Sequence, residues 1–285
     1  MIPLKKIYII PTILLVFFST IVNASVFPSN QLELINQPKS NITQELFDEI
    51  IDQFENTYKP IIKMKGGILK IQRMWSANEI NAFAGRFYPL FSITIMGGLA
   101  RHQFMTKDAL TLSLCHEMGH LLGSAPTKKK IPNRWASVEG QADYFTTLKC
   151  ARRIWEKDDN IQIIKEMEIS PYIESACQNS FKVLNQIALC IRSTIASFHL
   201  SKIMEGIFND GPINFDTPDQ TIVAETLPNH PSSQCRLDTF LQGALCEIDY
   251  HDELSKNNPK KGACNLSTNH TWGIRPLCWY NPDQY

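Results

Sequence analysis

The chain has 285 residues, its 28 basic and 28 acidic side chains balance, and 44% of its residues are apolar. That balance supplies no basic stripe for nucleic acid and no polybasic patch for an anionic lipid surface, and the apolar content excludes a chain disordered throughout. The length suits one large domain or two small ones.

Residues 1–24 read as an export signal. Lys5 and Lys6 precede an apolar stretch from Ile7 to about Val22, and Val22-Asn23-Ala24 before Ser25 has the small residues a signal peptidase accepts. The competing reading is an uncleaved anchor, but the run is short for a bilayer and contains Pro11. No later stretch reads as apolar for long enough to span a membrane. Residues 25–285 are therefore expected as a single exported domain, periplasmic or secreted, with a core over about 60–245 and a Cys-bearing tail over 246–285. All eight cysteines lie in this part, Cys115, Cys150, Cys177, Cys190, Cys235, Cys246, Cys264 and Cys278. An even count without a CxxC pair in an exported chain predicts disulfides rather than a zinc ribbon, with the connectivity open.

Residues 25–40 read as a loose leader. Apolar residues then recur at helical spacing from about Ile42 to Tyr58, with Pro60 as a stop signal. Gly66-Gly67 opens a strand from Ile68 to Trp75, a short extended segment falls near Ile80 to Ala84, and Phe91 to Met96 alternates before Gly97-Gly98. The next helix begins at Thr106, a plausible N-cap, and closes at Gly123. Ser124 to Asn133, with two prolines and three consecutive lysines, reads as a solvated loop. A helix runs from about Ala136 past Trp155, and the pattern stays helical to about Ile207 with a break near Pro171. Residues 209–231 are irregular, and a last helix covers about Ser232 to Leu245. If that helix forms, Cys235 and Cys246 lie about 16 Å apart along its axis, too far for a disulfide, so each must reach a different element.

Two motifs carry chemistry. His116 and His120, four apart on one helix face, can reach one metal ion, and Glu117 between them can take a proton from water at the ion's open position. A catalytic zinc wants three protein ligands and an open fourth position. Glu139, at the start of the next helix, can supply the third, and Asp143 one turn on can fix the tautomer of a ligating His from behind. The bland alternative is an amphipathic helix with two exposed histidines, followed by a helix start that prefers acids for dipole reasons. It explains Glu139 well and Asp143 poorly.

With these motifs in place, the sequence resembles the gluzincin metallopeptidases, the group of the heat-shock membrane protease HtpX, the CAAX prenyl endopeptidases and the periplasmic protease BepA. The resemblance covers about residues 75–240. Ile80-Asn81-Ala82-Phe83-Ala84 is similar to that group's strand ahead of the active-site helix, and Thr94-Ile95-Met96-Gly97-Gly98-Leu99 to its next strand and turn. The zinc helix and the Glu-x-x-Ala-Asp helix follow, and His230-Pro231 with Arg236 completes the set.

The resemblance implies an α+β, zincin-like metallopeptidase: a small sheet with an edge strand packed on active-site helices, a mostly helical C-terminal half, and disulfide staples. It implies one zinc ion per chain on His116, His120 and Glu139, with Glu117 as general base. His230 would approach the metal or the oxyanion and Arg236 would help order that region, both being catalytic residues able to donate to developing charge, and Ile93, Thr94, Ile95 and Met96 would pair with an extended polypeptide substrate. The chain departs from that group in lacking predicted membrane helices after the signal, in its short link between His120 and Glu139, and in its cysteines. The expected function is zinc-dependent endopeptidase action on extended or unfolded polypeptides. The alternatives are a non-catalytic, zinc-containing envelope scaffold and, as a minor one, an exopeptidase.

Overall fold

The computed structural model describes residues 24–28, 30, 39–129, 131 and 135–285. The expected export signal, residues 1–24, therefore lies outside the described residues, apart from Ala24.

Helix α1 (Gln44–Met64) starts at Thr43, whose hydroxyl accepts from the Leu46 N–H at 3.2 Å. Its apolar positions, Phe47, Ile50, Ile51, Phe54, Tyr58 and Ile62, form one buried stripe. Pro60 does not stop it, as the sequence had suggested. The helix runs a further turn because Ile62 is fully buried, packing where Gly67 and Phe91 approach it, and that packing outweighs the lost backbone hydrogen bond.

Three strands follow: β2 (Ile68–Met74), β3 (Ala82–Phe87) and β4 (Leu90–Met96). With β1 (Ala24–Ser25) they form a four-stranded sheet in the order β1-β3-β4-β2. β3 and β4 are antiparallel, β2 runs parallel to β4, and β1 is antiparallel to β3 with Ala24 opposite Ala84 and Ser25 opposite Phe83. β4 alternates by face: Phe91, Ile93 and Ile95 are buried and the residues between them are not.

A short turn of helix, α2 (Gly97–Ala100), leads to α3 (Lys107–Leu122), capped by the Thr106 hydroxyl on the Ala109 N–H at 3.1 Å. Every residue from Ala109 to Leu121 is buried, so α3 is the central helix of the molecule. Helix α4 (Glu139–Phe145) continues through a π-helical turn (Thr146–Cys150) into α5 (Ala151–Trp155). Next come α6 (Asn160–Ile164), α7 (Pro171–Ser180), α8 (Leu184–Phe208) and α9 (Ser233–Leu245). This is the expected mixture of a small sheet and a mainly helical second half.

Helix α8 corrects one expectation. It is long and apolar enough to cross a membrane, but 72% of that apolar stretch is buried within the protein. Its apolarity belongs to a core helix that packs on α9, α3 and α6.

Four disulfides staple the elements: Cys115–Cys150, Cys177–Cys190, Cys235–Cys278 and Cys246–Cys264. Cys235 and Cys246 do reach different segments. Disulfides at all eight positions fit folding in an oxidising compartment, outside the cytoplasm. The tail, which the sequence left unplaced, folds back over α4. Trp279 is fully buried against Gly140, and the Arg275 Nε donates to Gln141 Oε1 at 2.7 Å.

Candidate metal centre

Gly119 sets the geometry of the site. A Cβ there would stand 2.7 Å from the Ala142 carbonyl oxygen, so the glycine lets the α4 backbone lie directly on α3. That close approach brings the first turn of α4, with Glu139 and Asp143, to the face of α3 that carries His116 and His120.

The three expected ligands converge. His116 Nε2 lies 3.0 Å from His120 Nε2, and Glu139 Oε2 lies 3.3 Å from the first and 3.4 Å from the second. All three side chains are fully buried. Metal bonds of about 2.0–2.2 Å at tetrahedral angles place ligand atoms roughly 3.3–3.5 Å apart. Two of the three separations fall there and the third is slightly shorter.

The protons on the histidines are set from behind. His120 Nδ1 donates to the Ser137 carbonyl at 2.9 Å, and His116 Nδ1 donates to Asp143 Oδ1 at 2.7 Å. Each bond assigns the proton to Nδ1 and turns the Nε2 lone pair towards the other ligands. Among the described residues, Glu139 Oε2 has no hydrogen-bond donor. With both rings neutral, their Nε2 lone pairs and the carboxylate oxygen, buried and aimed at one point, repel one another unless a metal ion, or a second proton on His116, lies between them. The residues present therefore fit a metal ion and could hold one.

The electrostatics agree. Burial alone would lower the pKa of His116, but the Asp143 and Glu139 carboxylates raise it to about 9. Burial would raise Glu139, but His120 and His230 beside it hold its carboxyl well below the usual range. The other close grouping of ligand types, Asp219 with Cys235 and Cys278, offers no thiolate because those cysteines are bonded to each other.

Glu117 is fully buried, and neither carboxylate oxygen has a hydrogen-bond partner among the described residues. Burial pushes its carboxyl up to about 8. A buried acid left unpaired is costly for a fold and is the usual state of a group kept for proton transfer.

His230 joins the cluster, with its Nε2 3.2 Å from Glu139 Oε2 and donating to the Ser25 carbonyl at 2.9 Å. Burial drops its pKa to about 4, so the ring is neutral. Arg236 is fully buried and forks onto Asp143, Nε to Oδ2 and Nη2 to Oδ1, each at 2.8 Å. Its Nη1 donates to the Val26 carbonyl at 2.6 Å. Arg236 thus orients Asp143, which orients His116.

The expected substrate strand needs correction. Ile93, Thr94, Ile95 and Met96 lie in β4, which is paired on one side to β3 and on the other to β2. No backbone edge is free there for a peptide. Alternation in a sequence shows which face is buried, not whether the strand is central. The side of β3 turned away from β4 is the one next to the metal centre, and β1 lies on it.

Lys128 was missed by sequence reasoning. Its ammonium is bonded to Glu139 Oε1, which leaves Oε2 to face the histidines. Ser137, holding His120 through its carbonyl, was missed as well.

No protein-family model matches this chain, and no characterised protein and no solved structure resembles it to a significant degree.

Proposed function

We propose that this chain is a zinc-dependent endopeptidase of the gluzincin kind, exported from the cytoplasm, that hydrolyses peptide bonds in extended polypeptides. The observation that carries the reading is the unpaired, fully buried Glu117 carboxylate beside a His116–His120–Glu139 cluster. A purely structural metal site is closed by four protein ligands and has no use for such an acid. The motif order described for the sequence supports the same conclusion.

Zinc held by the three ligands supplies Lewis-acid polarisation of a carbonyl and makes water easier to ionise. Glu117, buried and unpaired beside the cluster, is placed to accept a proton from the attacking water and return it to the leaving amine. The His230 Nε2–H, which already donates to a peptide carbonyl, is the donor for the developing oxyanion. Asp143 and Arg236 hold His116 in place. Lys128 keeps one oxygen of Glu139 occupied so that the other stays in the cluster.

The test is cleavage of casein by the zinc-loaded protein, with and without a chelator, beside the Glu117→Gln variant. Wild type should produce fragments that a chelator abolishes, and the variant should retain one zinc per chain and lose cleavage by a factor of about a thousand or more. Undiminished turnover in the variant would sink the mechanism. Bound zinc with no turnover on any polypeptide would favour the scaffold reading.

A further inference from the structure

The segment on β3 makes more contacts than a strand of two residues requires. The Ser25 carbonyl accepts from His230 Nε2 at 2.9 Å, and the Val26 carbonyl accepts from Arg236 Nη1 at 2.6 Å. The Val26 N–H donates to the Ala82 carbonyl at 3.2 Å. Phe27 is bonded in both directions by the Asn81 amide, at 3.3 Å to its N–H and 3.4 Å to its carbonyl. The Val26 and Phe27 side chains are fully buried. A cavity of about 370 Å³ lies alongside, lined by Ser25 and Pro28 of this segment together with Lys128, Glu139 and His230.

The Ser25 carbonyl thus lies on His230, next to the candidate metal ligands. That is where the proposed reading puts the carbonyl oxygen of a bound substrate, on the oxyanion donor. Flanking residues are held through their backbone as an added strand, with the side chains after the bond filling buried pockets. We infer that Ser25–Val26–Phe27 is a built-in pseudosubstrate, an internal occupant of the substrate cleft that an incoming polypeptide must displace. The inference rests on the proposed reading of this cleft as a peptide-binding site. Removal of residues 1–24 spares the hydrogen bonds of the Ser25 and Val26 carbonyls and of Phe27 to His230, Arg236 and Asn81, and, among the described residues, forfeits Ala24 and its pairing with Ala84. The occupant therefore stays with the processed chain, and the residues it buries indicate the preferred substrate: an extended peptide with a branched aliphatic residue just after the cut bond and an aromatic one next.

The experiment uses the full processed chain carrying Glu117→Gln, loaded with zinc, and a fluorescent hexapeptide of sequence Ala-Ser-Val-Phe-Pro-Ser. Adding Val26→Asp and Phe27→Asp should tighten binding of the peptide by about tenfold or more, because the tethered strand competes at millimolar effective concentration. A folded variant that binds the peptide no more tightly than its parent overturns the inference. Hydrogen exchange gives a second readout with the segment unaltered. Saturating peptide should strip the protection of the Val26 and Phe27 amides, and protection that survives peptide binding also overturns it. Neither arm depends on turnover. A chain that gains peptide affinity when the segment is released, yet cleaves nothing, would defeat the peptidase reading and leave the internal occupant standing.

Discussion

Each candidate metal ligand is held by a second residue. Asp143 fixes His116, the Ser137 carbonyl fixes His120, and Lys128 occupies the far oxygen of Glu139. Asp143→Asn keeps the shape but removes the charge that draws positive charge into the pocket, so zinc affinity should fall by about 10- to 100-fold. Lys128→Met should lower it by roughly tenfold by the same logic. Competition with a chromophoric chelator measures both, and affinities equal to wild type would show that these contacts do not support the metal. His116 and His120 were legible in the sequence because helical spacing places both on one face. Lys128 was not, since it stands first in a run of three lysines that reads as solvated. Only the return of the loop beneath Glu139 distinguishes it from its neighbours.

At the scale of elements, the site depends on how closely two helices lie. Gly119 and the Ala142 backbone are in contact, and the Cys115–Cys150 bridge ties the same face of the molecule one turn earlier on α3 to the π-helical turn after α4. Gly119→Ala forces the helices apart and should destabilise the protein by about 1–3 kcal/mol. The measurement is thermal unfolding alongside zinc content, and the variant should lose both together. An unshifted midpoint with full zinc would mean that the close packing does not position Glu139. Helices α3 and α9 and the three main strands were legible from caps, turn residues and periodicity. The sheet order was not. β4 alternates as an edge strand would, and its central place follows from the parallel return of β2 on its far side, a contact that no local pattern encodes. Pro60 misled in the same way, because burial of Ile62 is a tertiary term that a local stop signal does not contain.

Across the whole molecule, segments distant in sequence meet at one point. The metal ligands come from α3 and α4, His230 from the irregular stretch before α9, and Arg236 from α9 itself. The N-terminal segment fills the cleft, while Trp279 and Arg275 of the tail press on the helix that carries Glu139. The motifs in the middle of the sequence announced the metal centre. Nothing in residues 25–27 or 272–280 announced that both ends of the chain build around it, since their partners lie as far as 210 positions away. All of these arrangements presuppose that His116, His120 and Glu139 were brought together to hold an ion. Diffraction from zinc-soaked crystals, recorded on either side of the zinc absorption edge, tests this most directly. One anomalous peak should lie within about 2.0–2.2 Å of His116 Nε2, His120 Nε2 and Glu139 Oε2. The absence of a peak there, or zinc bound only elsewhere, would contradict the account.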